Sequence, residues 1–105
     1  MNDVIVLNEG NYADTIKSGV VVIDFYADWC GPCKMMAPVF AEAMADYEGR
    51  AVFAKLNVDE NKNIAMQNSI MSIPTLLLFK DGQLKERLVG VVEKTTLYEK
   101  VDALL

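Results

Sequence analysis

Cys30 and Cys33 are the only cysteines in the chain, and Gly31 and Pro32 separate them as C-x-x-C. Three readings of that spacing are open: a redox dithiol at the start of a helix, half of a zinc site, or a structural disulfide. Zinc asks for four ligands, mostly Cys and His. The chain has two Cys, no His and no second C-x-x-C, so no metal is expected. A structural disulfide across this spacing closes too short a loop to restrain the unfolded chain much. The redox reading has a mechanism. If Cys30 falls at the N-cap of a helix, unpaired backbone N–H groups and the positive end of the macrodipole favour its thiolate, which is the nucleophile. Cys33 then follows one turn later on the same face, within reach of Cys30. Pro32 suits a first helical turn, where its missing N–H costs nothing.

Two charged residues interrupt apolar runs. Asp24 lies inside Val20 to Ala27, otherwise a continuous apolar stretch. Two placements are open for it: buried beneath the dithiol, or at an edge in contact with water. If buried, it is held near neutral titration by the cost of burying its charge, and can pass a proton to or from Cys33. Lys55 sits likewise in Val52-Phe53-Ala54-Lys55-Leu56. Either it pairs with Asp24 from a neighbouring strand, or it points into solvent.

The elements that must position these residues alternate. Val4 to Leu7 reads as a strand, Asn8 to Lys17 as a helix stopped by Ser18-Gly19, and Val20 to Ala27 as a central strand. A helix follows from about Pro32 to Tyr47, with a kink expected at Pro38 and an end at Gly49. Ala51 to Val58 is a second buried strand, and Asn61 to Asn68 a short helix. Thr75 to Lys80 is a third, and Asp81-Gly82 turns it into an antiparallel edge strand over Leu84 to Gly90. The last helix spans about Lys94 to Leu104. The order β-α-β-α-β-α-β-β-α predicts an α/β fold over a single domain, 1–105. Its sheet is mixed, of about five strands, flanked by four helices. Active residues of open α/β sheets gather beyond the carboxyl ends of strands, where Cys30 falls.

Composition narrows the function. Of 105 residues 52% are apolar and 24% charged, with a formal net charge of −5. The eight Lys and two Arg are scattered, so no basic stripe exists for nucleic acid. The start Met1-Asn2-Asp3 is acidic and followed by only four apolar residues in a row, unlike a secretory leader. No apolar run reaches the length of a membrane span. The expectation is a soluble, cytoplasmic protein. Without His, imidazole-dependent catalysis is excluded.

The segment Asp24-Phe25-Tyr26-Ala27-Asp28-Trp29-Cys30-Gly31-Pro32-Cys33-Lys34 closely resembles the active-site signature of the thioredoxin family, and the resemblance extends over essentially the whole chain. It implies a thioredoxin fold and a general protein-disulfide reductase with a Cys30–Cys33 redox pair. Cys30 would be the nucleophile, Cys33 the resolving thiol and Asp24 the proton carrier with Lys55 beside it. It also implies a cis Pro74 in Ser72-Ile73-Pro74-Thr75, and an apolar patch of Trp29, Gly31, Pro32, Ile73, Pro74 and Gly90 that receives the partner chain. No bound cofactor is implied. Electrons would come from NADPH through a thioredoxin reductase, and the chain would work as a monomer on disulfide-containing targets. Gly31-Pro32 resembles the reducing members rather than the oxidants, which carry a His between their cysteines. A redox-independent docking subunit is the rival reading, since a fold alone does not fix function. Tyr26, Asn68 and Val91 depart from the family pattern and bear on partner preference or the shape of the patch.

Overall fold

A computed structural model describes residues 4–105; the reading of Met1 to Asp3 lies outside them. The strands are β1 (Ile5–Val6), β2 (Val20–Tyr26), β3 (Val52–Asn57), β4 (Thr75–Lys80) and β5 (Gln83–Val89). The helices are α1 (Tyr12–Ile16), α2 (Gly31–Asp46), α3 (Lys62–Gln67) and α4 (Lys94–Asp102). The strands form one sheet in the order β1-β3-β2-β4-β5. β1, β3 and β2 run parallel, while β4 is antiparallel to β2 and β5 to β4. This is the mixed sheet of the sequence reading, with the hairpin strand β5 at its edge.

Side chains alternate across a strand, and β2 shows why it can be apolar throughout. Val20 and Val22 enter one core, with Met36 and Phe40 of α2 and Leu97 and Val101 of α4. Val21, Ile23 and Phe25 enter the other, with Tyr12 of α1 and Ile64 of α3. β4 divides likewise, Leu76 and Leu78 to the first core and Leu77 and Phe79 to the second. A strand buried on both faces needs no polar residue, so Asp24 is the exception that the packing has to accommodate. By the same alternation Asp24 shares the α2 face with Val20 and Val22.

α1 begins later than its periodicity suggests. Asn8 Oδ1 accepts hydrogen bonds from the N–H groups of Gly10 at 2.8 Å and Asn11 at 3.1 Å. That local turn competes with helix for the same donors and delays it to Tyr12. β1 is shorter than expected, two residues with exposed side chains, and a short edge strand offers little backbone to a stray chain. The Asp81-Gly82 turn takes positive φ at both residues, 50° and 85°, as a two-residue hairpin requires. Asp81 also ties the turn to the start of β2, its Oδ1 accepting from Gly19 N–H at 2.9 Å.

α2 continues through Pro38, which withholds the N–H that would bond the Lys34 carbonyl. Its far end is fastened to α4 by two crossed phenol–carboxylate bonds. Tyr47 donates to Asp102 at 2.6 Å, and Tyr98 donates to Asp46 at 2.5 Å. Lys94 adds an ion pair with Glu42.

Leu78 is fully buried in the core under α2 and α4. Leu78→Ala is expected to destabilise the fold by about 2–5 kcal/mol through the lost transfer energy and the cavity left behind. Urea unfolding should show a lower midpoint with an unchanged slope; a loss below roughly 1 kcal/mol would mean that the core closes over the gap.

Candidate active site

β2 ends at Tyr26, and the chain turns through Ala27, Asp28 and Trp29. Cys30 N–H donates back to the Ala27 carbonyl at 3.2 Å. Cys30 is the N-cap of α2, with extended φ and ψ of −86° and 112°. Its Sγ accepts the Cys33 N–H at 3.2 Å, one of the donors that a helix start leaves without an internal partner. Pro32 sits in the first turn, where it removes no helical bond. The two cysteines are joined in a disulfide with Cα atoms 5.3 Å apart, within the usual span for the bond. A sulfur that already accepts from backbone N–H at a helix N-terminus is stabilised as a thiolate when the bond opens.

The two sulfurs face different spaces. Cys30 lines an open apolar cleft of about 530 Å³ with Trp29, Gly31, Pro32, Ile73 and Met71 among its walls. Cys33 lines a separate cavity of about 200 Å³ with Asp24, Tyr26 and Lys55. Trp29, Gly31, Pro32 and Ile73 of the expected apolar patch thus line a concave surface. Trp29 is 70% exposed, and its indole N–H donates to Asp59 at 2.8 Å. Ile73 reaches the cleft. Pro74 is buried, and neither it nor Gly90 forms the cleft wall. The Ile73–Pro74 bond is cis, and Gly90 N–H donates to the Pro74 carbonyl at 2.8 Å. Gly90 holds φ +86°, a conformation that favours glycine, whereas a Cβ at Gly31 would meet nothing within 4 Å. The fold thus leaves the space over Gly31 open on the cleft side.

Asp24 is 6% exposed, and its Oδ1 has no hydrogen-bond partner. Burial raises its pKa from 3.8 to about 6, and the positive charge of Lys55 partly offsets the rise. Asp24 and Lys55 are opposite each other in the β2–β3 register. They do not form an ion pair: among the described residues no Lys55–carboxylate contact falls within 4.0 Å. The Lys55 ammonium lies instead over the Tyr26 ring, 5.4 Å from its centroid. Lys55 is half-buried, between the two placements open from sequence.

Sequence reasoning missed Asp59 and the far wall of the cleft. Asp59 lies two residues past β3, at the same carboxyl edge as Cys30, and that edge position was its only signal. The far wall includes Val58, Ala65, Ile70 and Met71, of which Met71 is 93% exposed. Asn68 accepts from the Tyr12 hydroxyl at 3.3 Å and donates to the Ile64 carbonyl at 3.0 Å, joining α1 to α3. Among the described residues no cluster of three or more His, Cys, Asp or Glu could hold a metal ion. Nor is any helix long and apolar enough to cross a membrane.

A C-x-x-C disulfide at the head of a helix, set beyond the end of a buried strand and opening on an apolar cleft, defines a dithiol–disulfide oxidoreductase of mixed α/β architecture. Comparison with known proteins agrees. A family model described as Thioredoxin matches residues 3–103, and the chain belongs to the thioredoxin family. It is 48% identical over 99 residues to thioredoxins of Staphylococcus aureus strains Mu50 and MW2, covering 94% of this chain and 95% of each relative. The protein is a protein-disulfide reductase working through a redox-active cysteine pair, and its architecture of five strands and four helices is the thioredoxin fold.

The raised pKa of Asp24 carries a sign for stability. The folded state holds this proton more tightly than the unfolded state, so ionisation costs stability progressively from about pH 4 to pH 6 and fully above that. Asp24→Asn is expected to stabilise the oxidised protein at pH 7 by up to about 3 kcal/mol. The gain should vanish near pH 3.5. Thermal or urea unfolding across that range checks it, and a pH-independent difference would place the carboxyl in water.

Proposed function

We propose that Cys30 attacks, Cys33 resolves and Asp24 carries the proton. The observation that carries this division is the separation of the sulfurs: Cys30 lines the cleft where a partner chain fits, and Cys33 lines the cavity that holds Asp24. The Cys30 thiolate attacks one sulfur of a target disulfide. A Cys30–target mixed disulfide forms, and the other target sulfur leaves as a thiolate that takes a proton from water. Cys33 gives its proton to the Asp24 carboxylate, directly or through water, and its thiolate attacks Cys30 Sγ. The bond from Cys30 to the target breaks, the second target sulfur leaves reduced, and the Cys30–Cys33 bond holds the oxidation. A carboxyl with a pKa near 6 is mostly ionised at neutral pH, so it can accept the proton, and it is close enough in proton affinity to return it.

Trp29, Gly31, Pro32 and Ile73 form the surface against which the target lies. The cis Pro74 and Gly90 hold the Ile73 segment in place behind it, through the Gly90–Pro74 hydrogen bond. Lys55 limits how far burial raises Asp24. The chain works as one domain and as a monomer in the cytoplasm on disulfide-bearing proteins, and its net charge of −5 does not suit nucleic acid. A thioredoxin reductase returns the dithiol with electrons from NADPH; the nicotinamide is bound by that enzyme, since this chain has no glycine-rich dinucleotide motif.

The roles separate in a Cys33→Ser variant mixed with a disulfide-bonded protein. A mixed disulfide at Cys30 should accumulate and survive to mass analysis, because no resolving thiol remains. Cys30→Ser should trap no more than a few per cent of that amount, roughly the accessible-thiol background. Trapping at Cys33 in preference to Cys30 would reverse the assignment.

A further inference from the structure

The cavity beside Cys33 contains an arrangement that the exchange chemistry alone does not call for. Asp24 is buried with one oxygen unpartnered, and a lysine stands opposite it in the strand register. A flexible ammonium next to an unpaired carboxylate ordinarily closes on it. Here it does not. Lys55 Nζ sits over the ring of Tyr26, at 5.4 Å from the centroid, within the range of a cation–π contact.

The strand pattern explains how the ring comes to be there. Tyr26 is two residues beyond Asp24 on β2, so both side chains leave the same face. Lys55 extends on that face from β3, and its stem can lean towards either neighbour. The ring presents a negative face at the half-buried mouth of the cavity, where an ammonium keeps part of its hydration. The carboxylate deeper in offers more charge but asks for fuller dehydration. Every other group facing Asp24 fits this picture. Cys33 and Lys34 reach the cavity from α2, and Asp28 from the turn after β2. Lys34 and Asp28 are exposed and screened by water. From β4 the register neighbour is Leu76, which is apolar. Of the two lysines that line the cavity, Lys55 is the half-buried one and the one opposite Asp24 in the strand register.

We infer that Tyr26 is a positioning residue: its ring seats the Lys55 ammonium and so keeps the carboxylate beside Cys33 without a direct counter-ion. The inference rests on the reading of Asp24 as proton carrier and deepens it, because it names the residue that sets how tightly the carrier holds its proton.

The test is a carboxyl-carbon NMR titration of Asp24 in the oxidised protein, where Cys33 does not titrate. Wild type and Tyr26→Phe, which keeps the ring, should both titrate near pH 6. In Tyr26→Leu the ammonium is released to the carboxylate, and Asp24 should bind its proton roughly tenfold more weakly. Tyr26→Met removes the ring with a side chain of closer volume and should give the same fall if Tyr26→Leu does not fold. In a Lys55→Met background the ring-removing substitution should produce no fall. An unchanged or tighter proton affinity in the ringless variants overturns the inference. So does an equal fall without Lys55, which would mean that water entering the cavity is responsible. Stopped-flow rates of mixed-disulfide resolution, taken across the same pH range, keep the two readings apart. If Asp24 does not carry the proton, the NMR midpoint moves while the rate profile stays; if Tyr26 does not seat Lys55, the midpoint itself stays.

Discussion

The junction between β2 and α2 is where the constraints of this fold meet. A strand buried on both faces has to stop, leave the sheet and start a helix within four residues. The helix start leaves N–H groups without internal partners, and the chain meets one of them with a sulfur: Cys30 Sγ accepts from Cys33 N–H. The donor that begins the helix thereby also meets the sulfur that we propose as the nucleophile. The position of Cys33, the space over Gly31 and the exposure of Trp29 all follow from where that helix begins. At the other end of α2, Tyr47–Asp102 and Tyr98–Asp46 fix the helix to α4.

Burial of Asp24 is the second constraint, and it opposes stability. The rest of β2 follows the rule for a central strand, while this one carboxyl is held in the α2 core with an oxygen unpartnered. Local consistency fails here, as the proposed role of Asp24 in proton transfer would require. The surrounding core of Val20, Val22, Leu76 and Leu78 is extensive enough to carry the penalty, which is the same penalty that brings the acid near neutral titration.

Much of the architecture was legible because one physical signal dominated each element. β4 was readable to the residue: four apolar residues run from Leu76 to Phe79 before Lys80, and Asp81-Gly82 specifies a turn with positive φ. α1 was misread at its start because the 3.6-residue pattern does not report that Asn8 will capture the donors of Gly10 and Asn11. The Trp29–Asp59 bond joins residues 30 apart and depends on which strand ends lie side by side, which the pattern of apolar residues does not encode. Sequence put Asp24 and Lys55 on neighbouring strands as one of two options. The choice between carboxylate and ring was made by side-chain torsion and hydration, which spacing does not record.

The two hollows flanking the dithiol open in different directions. A partner lying along Trp29, Ile73 and Met71 covers the larger one and leaves uncovered the mouth of the smaller, bounded by exposed Asp28, Lys34 and Ala37. Traffic through the site is therefore divided. On the proposed division of roles, electrons cross on the face that the partner occupies, and protons have their own door to the solvent. A large, tightly seated target need not let go before the charge left behind by the reaction is neutralised.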